Sequence, residues 1–384
     1  MRRFLFSDIV DNVNHIKSTV CDDLLTTRFF SPPNNPKETF CVVYLRNMVE
    51  KQIVNEGIVF PIMLFYHNRS SHEPLSEVLK DNIIVSSHIK LTNLMEELFT
   101  GLLTGMTVLL LNKSSECLLI ETNNRVIRSP QEPDNEKVLR GPRESFVESL
   151  DFNIQLIRRR IVSTDLHLDY QVIGKETKTR ICLCYMKNLV SPELVPIVKA
   201  RLSRINFDGI LDTNIINEKI KDAKYTPFKT IGVTERPDVF AGKILEGKVG
   251  IIADGTPVAL SMPYLFIDNF YSPDDYYLNV YFASFGRILR MIGFLVSVLT
   301  PALYIAISTH HWEIIPSPMA LTIAHSQQDI PLPTILECIV MLIIFELIRE
   351  TGLRTPIGIG QALSIVGAIV IGQAAVQARL VSSP

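Results

Sequence analysis

Between Met291 and Thr309 the chain runs for 19 residues without a charged side chain. That is close to the ~20 apolar residues a helix needs to cross a bilayer. No other feature narrows the fold as sharply, because it coincides with a break in composition. Up to about Tyr277 charges are dense and mixed in sign; beyond Arg290 long stretches carry none. The break predicts an α/β cytoplasmic region of two subdomains followed by an α-helical integral membrane region. With 47% hydrophobic and 20% charged residues, the 384-residue chain can bury sizeable cores and is not disordered. A net charge of −2 gives no basic surface for nucleic acid, and no such partner is expected.

In the membrane region, residues 271–384, three spans are expected at about 288–309, 332–348 and 360–380. Aromatic residues gather before the first, at Phe270, Tyr271, Tyr276, Tyr277, Tyr281, Phe282 and Phe285, a composition suited to the membrane–water boundary. Pro301 predicts a kink within that span. The second run contains Glu337 and Glu346, and a charge at mid-bilayer costs about 2.5 to 3.5 kcal/mol on insertion scales. Glu346 is spaced to pair with Arg349. Glu337 reads either as a cavity or pore lining or as a carboxylate near the interface. In the third run Gly360, Ser364, Ala368 and Gly372 recur every four residues, forming a small-residue ridge that lets helices approach closely. Gln361, Gln373 and Gln377 add amides that seek partners within a bundle. Arg287, Arg290, Arg349 and Arg354 flank the spans, whereas 310–329 has no lysine or arginine. The positive-inside rule then places the N-terminal region and the 349–359 loop in the cytoplasm.

The region before residue 271 reads as four pieces. Residues 1–37 are polar and end in the breaker cluster "SPPNNP", so a linker is expected there. Their start lacks a small-residue cleavage site and does not read as a convincing signal peptide. A first α/β subdomain, 38–140, has strands at "FCVVYL", "MTVLLLN" and "ECLLIET" around an amphipathic helix in "LTNLMEELFTGLLTG". A connecting helix, 141–162, opens with Gly141, Pro142, Arg143 and Glu144. Pro142 suits its first turn, and Glu144 and the Arg158–Arg159–Arg160 run match its dipole. The arginine run reads as a solvated helix end, or as an anionic-lipid or acidic-partner contact. A second subdomain, 163–270, contains the strand "TRICLCYM", a helix capped by Ser191, a short strand "GILD" and a helix near 214–222. A hairpin turning at Asp254-Gly255 completes it.

No catalytic pattern is present. G-x-S-x-G, H-E-x-x-H and dinucleotide glycine motifs are missing, and "GKETKT" lacks the upstream glycine of a phosphate loop. His67 and His72 fit no standard helical metal pair, and His310-His311-Trp312 reads as interfacial anchoring. The six cysteines, Cys21, Cys41, Cys117, Cys182, Cys184 and Cys338, show no C-x-x-C spacing and read as reduced core thiols in a reducing compartment. Neither a cofactor nor a metal is expected.

Several longer stretches carry a resemblance: "EPDNEKVLRGPRESF" (132–146), "ERPD" with "LEGKVGIIADGTPVAL" (235–260), "SPDDYY" (272–277), "PLPTILECIVMLIIFELIRETGLRTP" (331–356) and "GQALSIVGAIVIGQAAV" (360–376). In order and spacing they resemble the A subunit of GerA-type spore germinant receptors, from about residue 38 to the end. The resemblance implies a multi-pass protein of the spore inner membrane with a two-part cytoplasmic domain. It implies a permease-like B subunit and a lipoprotein C subunit as partners. It also implies a homo-oligomer that acts as a nutrient-gated ion channel. A related paralogue that amplifies germination, or a non-conducting membrane-anchored scaffold, are the alternatives. Gln327 stands where the family usually has arginine, Leu342 where it has a second glutamate, and Gly358 near a usual proline. Gln377 and Arg379 replace a glutamate and a glycine, so that with Leu342 two acidic positions of the family are neutral here. Family members continue through further membrane helices beyond the position of Pro384, so the membrane region reads as incomplete.

Overall fold

The computed structural model describes residues 4–20, 23–33, 35–36, 38–65, 74–86, 88–122, 133, 136, 138, 141–222, 225–327, 330–353, 357–378 and 381. The chain divides into two compact units, Met1–Leu278 and Asn279–Pro384.

The first unit holds two five-stranded sheets, every strand pair antiparallel. α1 (Ile9–Thr19) and β1 (Leu25–Phe30) precede β2 (Phe40–Leu45). α2 (Lys51–Ile53) and α3 (Phe60–Phe65) flank a π-helical stretch, Val54–Val59, and α4 (Leu75–Val78) runs into another, Leu79–Ile83. β3 (Ile89–Thr92), α5 (Met95–Leu103), β4 (Met106–Leu111) and β5 (Cys117–Glu121) complete the half, in strand order β1-β2-β4-β5-β3. Side chains of a strand alternate between faces. Cys41, Val43, Leu110 and Leu119 therefore pack on α1 and α5, while Phe40, Val42, Leu109 and Leu118 pack on the π-helical layer. Both faces are covered, so the strands read as continuous apolar runs.

The second half repeats this plan. α6 (Leu150–Arg160), β6 (Leu166–Ile173), β7 (Thr179–Met186), α7 (Leu194–Leu202), α8 (Thr213–Ile220), β8 (Gly232–Thr234), α9 (Pro237–Leu245), β9 (Val249–Ala253) and β10 (Ala259–Met262) give the strand order β6-β7-β9-β10-β8. α6 and α9 cover one face through Cys182, Cys184 and Ile252; α7 and α8 cover the other through Ile181, Leu183 and Ile251. The repeat reaches individual residues. Asn12 in α1 clips the backbone of Phe6, with bonds of 2.8 and 2.7 Å to its N and O. Asn153 in α6, 141 positions later (153 − 12), clips Val147 with bonds of 2.9 and 2.5 Å. The same offset relates Ile9, Val13 and Ile16 to Leu150, Ile154 and Ile157, all buried.

Several expectations are corrected. Residues 1–37 are no linker among the described residues: α1 buries an apolar stripe, Asp8 caps it at Val10 N (2.8 Å), and β1 pairs with β2 along its length. "SPPNNP" is then the loop of that hairpin. The helix placed at 141–162 starts only at Leu150, because the Asn153 clip holds the preceding turn open. α7 starts at Leu194 with Glu193, not Ser191, as its cap, and "GILD" forms no strand. The Asp254-Gly255 hairpin is present, joining β9 and β10. Asp254 Oδ1 also accepts from Leu150 N at 3.0 Å, which caps α6. The arginine run is not a uniformly solvated helix end: Arg158 is buried and Arg160 pairs with Glu144 at 2.6 Å, whereas Arg159 is exposed.

The second unit is helical, with α10 (Val280–Thr309), α11 (Ser317–Gln327), α12 (Thr334–Leu353) and α13 (Ile357–Gln377). Among the described residues α10 is long and apolar enough to cross a membrane, and Ile365–Gln377 is a shorter apolar helix. α12 packs on both α10 and α13.

Candidate functional site

α9 begins as local rules require, with Pro237 in its first turn and Asp238 beside the positive end of the dipole. The residue before it, Arg236, is fully buried. A buried charge is tolerated only when paired and hydrogen-bonded, and Arg236 meets both conditions. Its Nε and Nη2 donate to Asp238 at 3.1 and 2.6 Å. Its Nη1 and Nη2 reach the carbonyls of Glu136 (3.4 Å) and Pro142 (3.1 Å). The Glu136 carboxylate accepts from Thr234 Oγ1 at 2.6 Å and from Glu235 N at 3.0 Å. Tyr277 closes the cluster by donating its hydroxyl to Asp238. Gly141 lies beneath that ring at φ +119°, where an added Cβ would stand 2.8 Å from Tyr277 Cδ2. Glycine is required there by both conformation and space.

These groups titrate accordingly. Burial alone would raise Asp238, but hydrogen bonds from Arg236 and Tyr277 outweigh it and hold the carboxyl below its usual range. Burial and the Asp238 acceptor push Tyr277 up to about 12. Glu136 is raised, chiefly by burial.

A second ionic cluster follows along the same helix. Lys248 Nζ donates to Asp268 at 2.6 Å, and Lys243 lies 3.6 Å from Asp268 and 3.2 Å from Glu246. Tyr276 donates to Glu246, and the Lys243 ammonium stands 5.3 Å from the centre of the Tyr271 ring. Burial would raise Asp268, but Lys248 and the Leu265 N–H reverse the shift and lower it. Together the clusters strap residues 264–277 onto α9. Only Leu278 and Asn279 then separate Tyr277 from α10. The arrangement holds this segment in place. Among the described residues no group of three His, Cys, Asp or Glu could hold a metal.

Where the two halves of the first unit meet lies an open polar cleft of about 500 Å³, lined by Lys17, Asp23, His167, Asp169, Tyr185 and Lys199. No sequence signal marked it.

The structure brings some expected residues together and separates others. Gly141 and Pro142 serve the Arg236 cluster rather than a helical turn, and Glu144 pairs with Arg160. Arg143 is not free either. The aromatic group is split: Phe270 is buried and Tyr276 and Tyr277 anchor the strap, whereas Tyr281, Phe282 and Phe285 are exposed on α10. Glu346 and Arg349 form the expected pair, and Glu337 is 5% exposed. Gly360 and Ser364 fall in α13, but their surroundings lie outside the described residues, as do His67 and His72. Ala368 is half-buried and Gln373 exposed. A Cβ on Gly372 would meet nothing within 4 Å, whereas one on Gly367 would stand 3.4 Å from Ile348 Cγ2. Within this chain the close approach therefore runs through Gly367, not through the Gly372 end of the ridge. Sequence reasoning missed Arg236, Asp238 and Tyr277 as a unit, although all three lie in the stretches that carry the family resemblance.

Comparison with known proteins agrees with that resemblance. The family model for the Bacillus/Clostridium GerA spore germination protein matches residues 11–384. The chain is 38% identical to spore germination protein KA of Bacillus subtilis (strain 168) over 341 residues, covering 89% of this chain and 62% of that protein's length. It is 33% identical to spore germination protein B1 of the same organism over 381 residues, covering 98% and 77%. Among solved structures, the N-terminal domain of the A subunit of the Bacillus megaterium spore germinant receptor GerK3 aligns with a TM-score of 0.53 and 27% identity. That alignment covers 68% of this chain and 97% of the other. The chain thus spans less than two thirds of the KA protein it matches, and it belongs to the GerA family of spore germination proteins.

Proposed function

We propose that the chain is the A subunit of a nutrient-responsive spore germinant receptor, multi-pass in the spore inner membrane, with the first unit in the cytoplasm. A permease-like B subunit and a lipoprotein C subunit complete the receptor, and A subunits associate as a ligand-gated ion channel. α13, with Gly360, Ser364, Ala368, Gly372 and Gln373, supplies the association face. Glu337, Glu346 and Arg349 supply the polar groups of the membrane region.

One observation carries this reading. Stretches by which the chain resembles the receptor A subunits, around 136–142, 235–238 and 272–277, meet at Arg236 and clamp the segment that continues into α10. A domain that senses and a membrane helix that gates need a stiff junction, and a buried bidentate pair is geometrically specific. Coupling free energies between sites are typically 1–3 kcal/mol, well within what such a clamp can transmit.

The test is potassium release from dormant spores after nutrients are added one at a time, comparing the native gene with its deletion. Loss of early release for one nutrient class supports the receptor reading. Slower release for every nutrient supports the amplifier or scaffold, and unchanged release for all refutes the proposal.

A further inference from the structure

The strap that leaves the second sheet carries more than its ionic anchors. Its turn Phe266–Phe270 is a 3₁₀ helix whose inner groups, Asp268 and Phe270, are buried. Its outer side chains are not: Leu265 is 56% exposed, Phe266 49% and Ile267 38%. Beside it runs the loop after α8, in which Tyr225 is 99% exposed and Phe228 58%. The two segments are physically joined. The Phe228 and Phe266 rings meet edge to face at 5.4 Å, Phe266 and Phe270 do the same at 5.6 Å, and Tyr264 N donates to Thr230 O at 2.9 Å. Phe228, Phe266 and the chain neighbours Leu265 and Ile267 thus stand together outside both cores, with the exposed Tyr225 three residues before Phe228 in the chain. Contiguous exposed patches of this kind mark interaction sites.

Charge indicates what covers it. The sequence from 219 to 229, "KIKDAKYTPFK", has four lysines and one acid. Asp222 is already paired with Arg201 and Lys221 with Glu218, while Lys219 sits over the Phe207 ring at 5.0 Å. Lys229, next to Phe228, is exposed and has no ion pair among the described residues. Aromatic and aliphatic side chains with an exposed lysine beside them are the composition that seats on an anionic bilayer surface. Chain connectivity points the same way, because the strap runs through Tyr277 directly into α10, the helix apolar enough to cross a membrane.

We propose that Tyr225, Phe228, Leu265, Phe266 and Ile267, with Lys229, form a lipid-docking face. It rests at the headgroup–acyl boundary and prefers anionic phospholipid.

The test uses the full chain in vesicles, with Trp312→Phe removing its single tryptophan. Phe228→Trp or Phe266→Trp then reports the patch, and Phe29→Trp, 46% exposed on β1 of the other sheet, is the control. In phosphatidylglycerol–phosphatidylcholine vesicles, lipid brominated high on the acyl chain should quench both patch reporters and not the control. Acrylamide should quench the control several-fold more than the patch. Lys229→Glu should lower the bromolipid quenching and abolish the difference from pure phosphatidylcholine vesicles. Patch reporters open to acrylamide and untouched by bromolipid would overturn the proposal. So would reporters shielded from both quenchers, since a protein partner would then cover the face. Indifference to Lys229→Glu would overturn the anionic preference. Phe29, Phe228, Lys229 and Phe266 are exposed, and an unchanged circular dichroism spectrum checks that the fold is intact.

Discussion

Replacing Arg236 with methionine keeps the length of the side chain and removes its charge. Four donations disappear: two to Asp238 and one each to the carbonyls of Glu136 and Pro142. What remains is the Asp238 carboxylate, with its side chain 8% exposed and only the Tyr277 hydroxyl left as a side-chain donor in the cluster. Breaking one partner of a buried ion pair costs about 3–5 kcal/mol, because the other charge stays desolvated and uncompensated. That is on the order of a hundred-fold or more in the folded-to-unfolded ratio. Adding Asp238→Asn removes the orphaned charge while keeping an acceptor for Tyr277, so the double variant should recover most of the loss. Urea unfolding of the full chain in detergent, followed by near-ultraviolet circular dichroism, measures both variants. Hydrogen exchange over 264–277 tests whether the strap opens first. A cost below about 1 kcal/mol for Arg236→Met, or a double variant as unstable as the sum of the singles, would refute the account of this cluster.

Further outcomes follow from the same geometry. Asp238 and Asp268 both have depressed carboxyls in the folded state. Their contribution is therefore present above the unfolded carboxylate range near ~3.9 and lost as pH falls through the folded values. Glu136 is raised and acts in the opposite sense, its contribution fading as pH rises through its folded value. Thermal melts in acid should show a loss that Asp238→Asn makes shallower; an identical acid limb in that variant would exclude Asp238 as its source. Burial pushes Cys41 and Cys117 up to about 12, and Cys182 and Cys184 are fully buried. None of these four should react with iodoacetamide before unfolding, as read by peptide mass spectrometry. Gly367→Leu should separate α12 from α13 and lower the melting temperature, whereas Gly372→Leu meets open space within the chain. A change in oligomer size in detergent for Gly372→Leu would place it at a contact between copies; unchanged size would remove it from the association face.

What could be read from residues alone was whatever depends on neighbours in the chain. Runs such as "CVVYL" and "TRICLCYM" are strands, Asp254-Gly255 turns a hairpin, the stripe at Leu150, Ile154 and Ile157 buries a helix, and the uncharged run before His310 lies in α10. Each follows from a local period or a turn preference. Tertiary structure decided the rest. β1, "LTTRFF", has a mixed burial pattern and becomes a strand through its pairing with β2. Gly141 and Pro142 match a helix start by type, yet a long-range need outweighs that preference. Arg236 lies 94 positions from Pro142 and 100 from Glu136, and a buried guanidinium must find its acceptors wherever the fold supplies them. The doubled architecture was hidden for the same reason. The two halves share the Asn12 and Asn153 clips, but most of the other positions that pack identically carry different apolar residues. A core requires volume and pattern, and it leaves residue identity free.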